Sequence, residues 1–201
     1  MEQSAFNPEH QQENLPSKIV VGLERISEAF KALLWQHAKT MGLSPIQLQM
    51  LLFVAYHAAQ YCTVSYLSQE FNVTKPTVSD AVKALEKKGL IEKDYATADS
   101  RSYRIRLSEA GRSMVEQTQL FAQPVQHLVA QLPNSEQQTM YATVMQLVSG
   151  LNKAGVLTVQ RTCFACRFYE ANYEGHHCRL LQQQLQPTKL RLDCPEFEPR
   201  G

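Results

Sequence analysis

The sequence predicts a mainly α fold with one small β-hairpin. Three observations lead there. Apolar residues recur at three- and four-residue spacing through most of the chain ahead of Ala154, the period of helices that bury one face. Two of these stretches open on a hydroxyl residue with proline close behind, Ser44-Pro45 and Thr74-Lys75-Pro76. There the hydroxyl satisfies a free backbone N–H, and proline breaks no helical hydrogen bond. Clear period-two alternation occurs at 103–107, where Tyr103, Ile105 and Leu107 alternate with Arg104 and Arg106.

Taken in order, residues 1–16 are polar, without periodicity, and are expected to be a mobile tail. Ser17 opens a long helix with Ile19, Leu23, Ile26, Phe30, Leu33 and Leu34 as its apolar stripe, extended by His37. The plain reading of that stripe is a core helix. Ser44, Pro45 and Gln47 spell a capping box. The helix they open carries Ile46, Leu48, Met50, Leu51, Leu52, Phe53 and Val54. It has few polar faces, which marks it as the buried centre. Cys62 follows as a small core residue.

A short helix is expected over 64–71, ended at Asn72. A second opens at Thr74 and turns Val78, Ala81, Val82 and Leu85 inward. Lys75, Thr77, Ser79, Asp80 and Lys83 face outward, and Pro76 sits in the first turn. Gly89 supplies a left-handed cap. Extended runs at 91–95 and 103–107 flank the polar loop 96–102. Helix, turn, helix and a hairpin with a charged tip make a winged helix-turn-helix. Short polar and basic side chains along a helix front suit the major groove of DNA. An arginine on the hairpin tip, Arg101 in Asp99-Ser100-Arg101, suits the minor groove.

After the hairpin, Ser108 caps a helix heading to Leu132, which Pro124 must kink or divide. Beyond Pro133, Asn134 or Ser135 caps a further helix to about Ala154. Its stripe is Met140, Val144, Leu147, Val148 and Leu151. His127 has no second ligand at metal spacing and reads as an ordinary histidine.

These stretches resemble the MarR family of bacterial transcription regulators. The matching residues are Lys75-Pro76-Thr77-Val78-Ser79, Leu85-Glu86-Lys87-Lys88-Gly89-Leu90-Ile91, Asp99-Ser100-Arg101 and Leu107-Ser108-Glu109-Ala110-Gly111-Arg112. A weaker likeness runs from about Ile19 to Ala154 and stops ahead of the cysteines. It departs at Asp80, where many members carry a basic residue. The resemblance implies a homodimeric repressor, paired through N- and C-terminal dimerisation helices, and leaves room for a small-molecule effector. It implies DNA contacts from Thr74, Lys75, Pro76, Thr77, Ser79, Asp80, Lys83, Asp99, Ser100 and Arg101, with Asp99 holding the Arg101 guanidinium.

The net charge of +1 announces no nucleic-acid partner, but its distribution is uneven. Residues 74–107 carry 8 Lys/Arg against 5 Asp/Glu, whereas 1–73 carry 4 against 6 and 108–160 carry 2 against 3. The basic excess falls on the motif that needs it. No apolar region follows the polar first residues, so no secretory leader is expected. The longest apolar run, 50–56, is too short to cross a bilayer. A cytoplasmic location with reduced thiols follows. No nucleotide-binding glycine loop and no nucleophile–base pair stands out, so enzymatic activity is not expected.

From Arg161 the texture changes. Cys163 and Cys166 form a C-x2-C, Cys178 follows after 11 residues, and Cys194 after 15 more. Four thiols in a segment too small for its own core point to a metal that supplies folding energy. The chain thus divides into a tail at 1–16, a winged-helix and dimerisation unit at 17–157, and a metal-binding segment at 158–201. Zinc in a four-thiolate shell is the first expectation. An iron–sulfur cluster is the alternative, favoured by Phe164, Phe168, Tyr169 and Phe197 as shields and by Cys194-Pro195. On zinc, His176 or His177 can replace a thiol. A rival reading of the whole chain is a metal- or redox-handling protein whose winged helix serves protein contact.

Overall fold

A computed structural model describes residues 4–95, 103–173 and 175–200. The helices are α1 (Pro8–Glu13), α2 (Leu15–Thr40), α3 (Pro45–Tyr56), α4 (Val64–Glu70) and α5 (Lys75–Lys87). An antiparallel hairpin follows, β1 (Ile91–Asp94) with β2 (Arg104–Leu107), in the register Ile91 opposite Leu107. Then come α6 (Glu109–Thr118), α7 (Gln123–Ala130) and α8 (Asn134–Lys153). The cysteine-rich segment adds an antiparallel sheet of β3 (Tyr169–Asn172), β4 (Gly175–Cys178) and β5 (Gln183–Leu185), which the sequence reading did not foresee.

Local chemistry sets these boundaries. Proline stands in the first turn of α1, α2, α3, α5 and α7, where its fixed φ suits a helix start. The Ser44–Gln47 capping box forms as expected. Pro124 divides the long helix into α6 and α7. Three details differ from expectation. Asn7 caps a short helix at Pro8–Glu13, inside the stretch read as an unstructured tail. Helix α2 starts at Leu15 rather than Ser17, because the Asn14 side chain accepts from the Ser17 N–H at 2.8 Å. Neither Asn134 nor Ser135 caps α8, whose N-cap position belongs to Pro133.

The centre is α3, as its all-round apolarity predicts. Leu48, Met50 and Leu51 are fully enclosed, and the helix packs against α2, α5, α6 and β2. Leu67, Val78, Val82, Leu85 and Ile105 complete this core; each such side chain contributes about 1.5–3 kcal/mol on burial. Cys62 is buried with them, and its carbonyl accepts from the Ile105 N–H at 2.8 Å. Burial pushes its thiol up to about 11, the mark of a structural cysteine rather than a reactive one.

The α2 stripe corrects the core-helix reading. Leu34 and Ala38 enter the core, but Ile19, Leu23, Ile26 and Phe30 are 51%, 42%, 43% and 37% exposed. On α8, Met140, Leu147 and Leu151 are exposed as well, while Met145 and Ser149 are buried. What buries Met145 is the C-terminal segment. Cys163, Leu185 and Leu190 form a second small core with it, flanked by Tyr141, Phe164 and Tyr169.

Candidate nucleic-acid interface and thiol cavity

The helix-turn-helix is built by two threonine caps and one left-handed residue. The Thr63 hydroxyl accepts from the Tyr66 N–H at 3.2 Å and starts α4. Asn72, at φ 52°, reverses the chain, a conformation asparagine tolerates better than most residues. The Thr74 hydroxyl then accepts from the Thr77 N–H at 3.3 Å and starts α5. Gly89, at φ 69°, ends α5. Lys75, Pro76, Thr77, Asp80 and Lys83 are exposed on α5, as is Thr74 at its cap, and Ser79 is half-buried. Asp80 and Lys83 pair at 3.2 Å in full solvent, so Asp80 removes much of the positive potential that Lys83 alone would offer.

The hairpin rises beside this helix. Lys93 reaches Glu86 of α5 at 2.7 Å and lies 5.1 Å from the Tyr103 ring centre, which ties the wing base to the helix. Arg104 and Arg106 point to solvent from β2. The wing-tip candidates Asp99, Ser100 and Arg101 lie outside the described residues. Behind the wing, the first turn of α6 is drawn close. A Cβ on Gly111 would stand 2.0 Å from the Leu90 carbonyl oxygen. That carbonyl accepts from the Ser108 N–H at 3.1 Å, and the Ser108 hydroxyl donates to the Gly89 carbonyl at 2.6 Å. A groove of about 820 Å³ opens between α3, β2 and α6, with Arg106, Arg112, Glu109 and Glu116 among its lining.

The structure also brings the four C-terminal cysteines to one place. Cys163, Cys166, Cys178 and Cys194 line a single cavity of about 100 Å³, walled further by Phe168, Leu180 and Leu185. None is in a disulfide. Cys163 and Cys166 flank a tight turn in which the Cys166 N–H donates to the Cys163 carbonyl at 3.0 Å. The Arg191 N–H donates to Cys163 Sγ at 3.2 Å, and the Arg191 guanidinium to Cys194 Sγ at 3.4 Å. Burial raises the Cys163 and Cys194 thiols above the ordinary range. Among the described residues no three His, Cys, Asp or Glu side chains are grouped to hold a single ion. His176 does not line the cavity; its Nδ1 lies 2.6 Å from the Tyr169 hydroxyl. His177, the other candidate replacement, is not in the lining either.

One residue that sequence reasoning passed over joins this segment to the helix-turn-helix. Arg161 is 6% exposed. Its Nη1 donates to Glu70 of α4 at 2.7 Å and to the Tyr66 hydroxyl at 2.7 Å. Its Nε and Nη2 donate to both carboxylate oxygens of Asp193, at 2.7 and 2.8 Å. The guanidinium also lies 5.3 Å from the Phe53 ring centre. Burial pulls the Arg161 pKa down, but the bonds to Asp193 and Glu70 outweigh it and hold the cation firmly charged. Burial likewise pushes Asp193 up, and Arg161 and His57 overcome it, leaving the carboxyl far below its usual range. His57 Nε2 lies 2.8 Å from Asp193. The Thr158 hydroxyl adds a bond to the Gln69 carbonyl at 2.8 Å. A lone arginine beside a C-x2-C carries no pattern, so only the folded chain reveals its partners.

Residues 41–102 match the model of the MarR family. No curated protein matches the chain. Among solved structures, the chain is similar to a Staphylococcus aureus MepR–DNA complex, at 28% identity and a TM-score of 0.58. That likeness covers 66% of this chain and 97% of that one. A MarR transcriptional regulator from Methanosarcina mazei Go1 shares the fold, at 16% identity, a TM-score of 0.58, and coverage of 68% and 97%. Over residues 41–102 the chain is thus similar to the MarR family, and its winged helix-turn-helix is similar to that of the MepR–DNA complex.

Proposed function

We propose that this protein is a MarR-family transcription regulator, without catalytic activity, that binds a near-palindromic DNA site as a homodimer. The observation that carries the reading is the outer face of α5. Thr74, Lys75, Thr77 and Lys83 stand exposed on a helix whose other side is locked into the core, the requirement for reading base edges from a rigid element. The likeness to a structure solved with DNA supports it. The uncovered stripes of α2 and α8 support the dimer, since apolar faces of this extent seek a partner. A dimer seated on its operator excludes other proteins from that DNA, so repression is the expected outcome. The groove between α3, β2 and α6 is the place for a small-molecule effector. Among the described residues no helix is long and apolar enough to cross a membrane.

The test is selection of bound sequences from random DNA with the purified chain. The expected product is a two-fold site with half-sites about one helical turn apart, on the order of 34–36 Å. A protein that stays monomeric at micromolar concentration and enriches no sequence overturns the proposal. Within it, Arg101→Ala should weaken binding to all sequences and reduce the salt dependence by about one phosphate-equivalent if the contact is to the backbone. Substitution of Lys75 or Thr77 should change which sequence is preferred.

A further inference from the structure

We infer that the C-terminal segment holds an iron–sulfur cluster on Cys163, Cys166, Cys178 and Cys194, and that Arg161 couples this cluster to helix α4 of the helix-turn-helix. The cavity decides between the metals that four thiols can bind. Tetrahedral zinc needs no cavity: at Zn–S of about 2.3 Å its sulfurs stand about 3.8 Å apart and enclose the ion completely. Here no such grouping exists among the described residues, and the four cysteines instead border a space of about 100 Å³. A cluster of irons and sulfides occupies such a volume and keeps its four cysteine sulfurs apart around itself.

The walls fit the same occupant. Phe168, Leu180, Leu181 and Leu185 give the cavity apolar walls, with Leu185 buried and Leu180 and Leu181 at its solvent side. A four-thiolate cluster is anionic overall; Lys189 and Arg191 line the cavity, together with Glu196, which pairs with Arg191 at 2.5 Å and lies 3.4 Å from Cys194 Sγ. The Arg191 N–H aimed at Cys163 Sγ at 3.2 Å is the hydrogen bond that a bound thiolate accepts. Neither histidine belongs to the lining, which leaves a purely thiolate donor set.

The coupling follows from chain positions. Arg161 precedes Cys163 by two residues and Asp193 immediately precedes Cys194, so the buried guanidinium and its half-exposed partner are both carried on cluster-bearing loops. The Cys194 N–H donates to the Arg161 carbonyl at 3.0 Å and locks those loops side by side. The other half of the guanidinium grips Glu70 at the end of α4, next to the turn that presents α5. The far side of the segment rests on α8 through Met145 and Tyr141. Filling or emptying the cavity therefore changes a strut between α8 and α4. A segment this small, whose core is only Cys163, Leu185 and Leu190 against Met145, depends on the cluster for order.

The experiment has two arms. The first reads the metal and is independent of any DNA activity. Full-length protein prepared without air should be brown and contain iron and acid-labile sulfide, and Cys163→Ser with Cys166→Ser should lose both. Colourless protein with one zinc per chain, metal-free protein, or unchanged iron in the double variant overturns the cluster. The second arm measures amide hydrogen exchange of residues 64–70 in holo protein, the double cysteine variant, and Glu70→Gln with its iron intact. Exchange should quicken at least tenfold in both variants, and operator affinity, which rests on the proposed function, should fall at least tenfold with it. Unchanged exchange in α4 overturns the coupling. Quickened exchange with no DNA binding even in the holo protein overturns the regulator reading and leaves the cluster and its strut standing.

Discussion

Gly111→Ala is the substitution on which local propensity and packing disagree most sharply. In an exposed helix, alanine is favoured over glycine by about 1 kcal/mol. At this position the new Cβ stands 2.0 Å from the Leu90 carbonyl oxygen and 3.0 Å from its carbon. Relief requires the carbonyl to retreat by about 1 Å. That carbonyl is held on both sides, since it accepts from Ser108 N–H at 3.1 Å while the Leu90 N–H donates to Leu85 at 3.0 Å. Leu90 itself is 6% exposed and leads directly into β1. Overpacking against backbone costs about 1–3 kcal/mol, and a lost hydrogen bond about 1 kcal/mol more. Set against the propensity gain, the net is a destabilisation of about 2 kcal/mol. With a slope of roughly 1–3 kcal/mol per molar urea, the unfolding midpoint should fall by about 1 M. The assay is urea unfolding followed by circular dichroism. A midpoint that is unchanged or higher would refute the packing argument. The displaced Leu90 also shifts the base of the wing, so DNA affinity should fall even under conditions where the variant is fully folded.

Three further outcomes follow from the same structure. Thr74→Ala removes the cap of α5 and should cost about 1 kcal/mol, whereas Thr74→Asn should retain most of it; equal losses in thermal unfolding would count against a cap. Leu23→Glu together with Phe30→Glu places charge on the open stripe of α2 and should yield monomers in sedimentation, and a persisting dimer would move the interface elsewhere. Cys62 should resist iodoacetamide at pH 8 in the native protein and react once urea unfolds it. Its folded thiol keeps the proton until about 11 while the unfolded one gives it up from about 8.5. Stability from this group is thus complete below pH 8.5 and is lost as pH rises through that window; native labelling at the unfolded rate would contradict the burial.

Much of the winged helix was legible because each boundary has a short-range cause. Thr74 with Pro76, Ser44 with Gln47, and Gly89 write their caps within four residues. The α3 core was legible for a similar reason, since a helix apolar on nearly every side has nowhere to go but the centre. The α2 stripe left a core helix and a dimer helix both open, because periodicity shows that a face is apolar, not what covers it. At the N-terminus the signal was local but went to the wrong residue: Asn14 caps α2, two positions ahead of Pro16 and three ahead of Ser17. In the C-terminal segment the cysteine spacing announced a shared site, but not its size. Whether four thiols meet at a point or surround a space depends on the β3–β5 sheet and on Leu180 and Leu185, which have no spacing rule. Arg161 was invisible for the deepest reason: its partners lie at positions 57, 66, 70 and 193, joined only by tertiary structure.

That arginine has a consequence for how the C-terminal segment detaches. A guanidinium is a rigid planar fork. Here its prongs are divided between two carboxylates on different parts of the chain, with three aromatic rings, Phe53, Tyr61 and Tyr66, within 6 Å of it. Tilting the plane to keep Asp193 sacrifices Glu70, and a half-withdrawn position leaves the buried guanidinium short of one of its two counter-charges. A partly engaged geometry is disfavoured against a seated or a released one. The segment is therefore seated or released as a unit, and a population of molecules answers any graded stimulus by changing the proportion of two forms. To carry that proportion from 1:99 to 99:1, a stimulus must favour one form about 10⁴-fold.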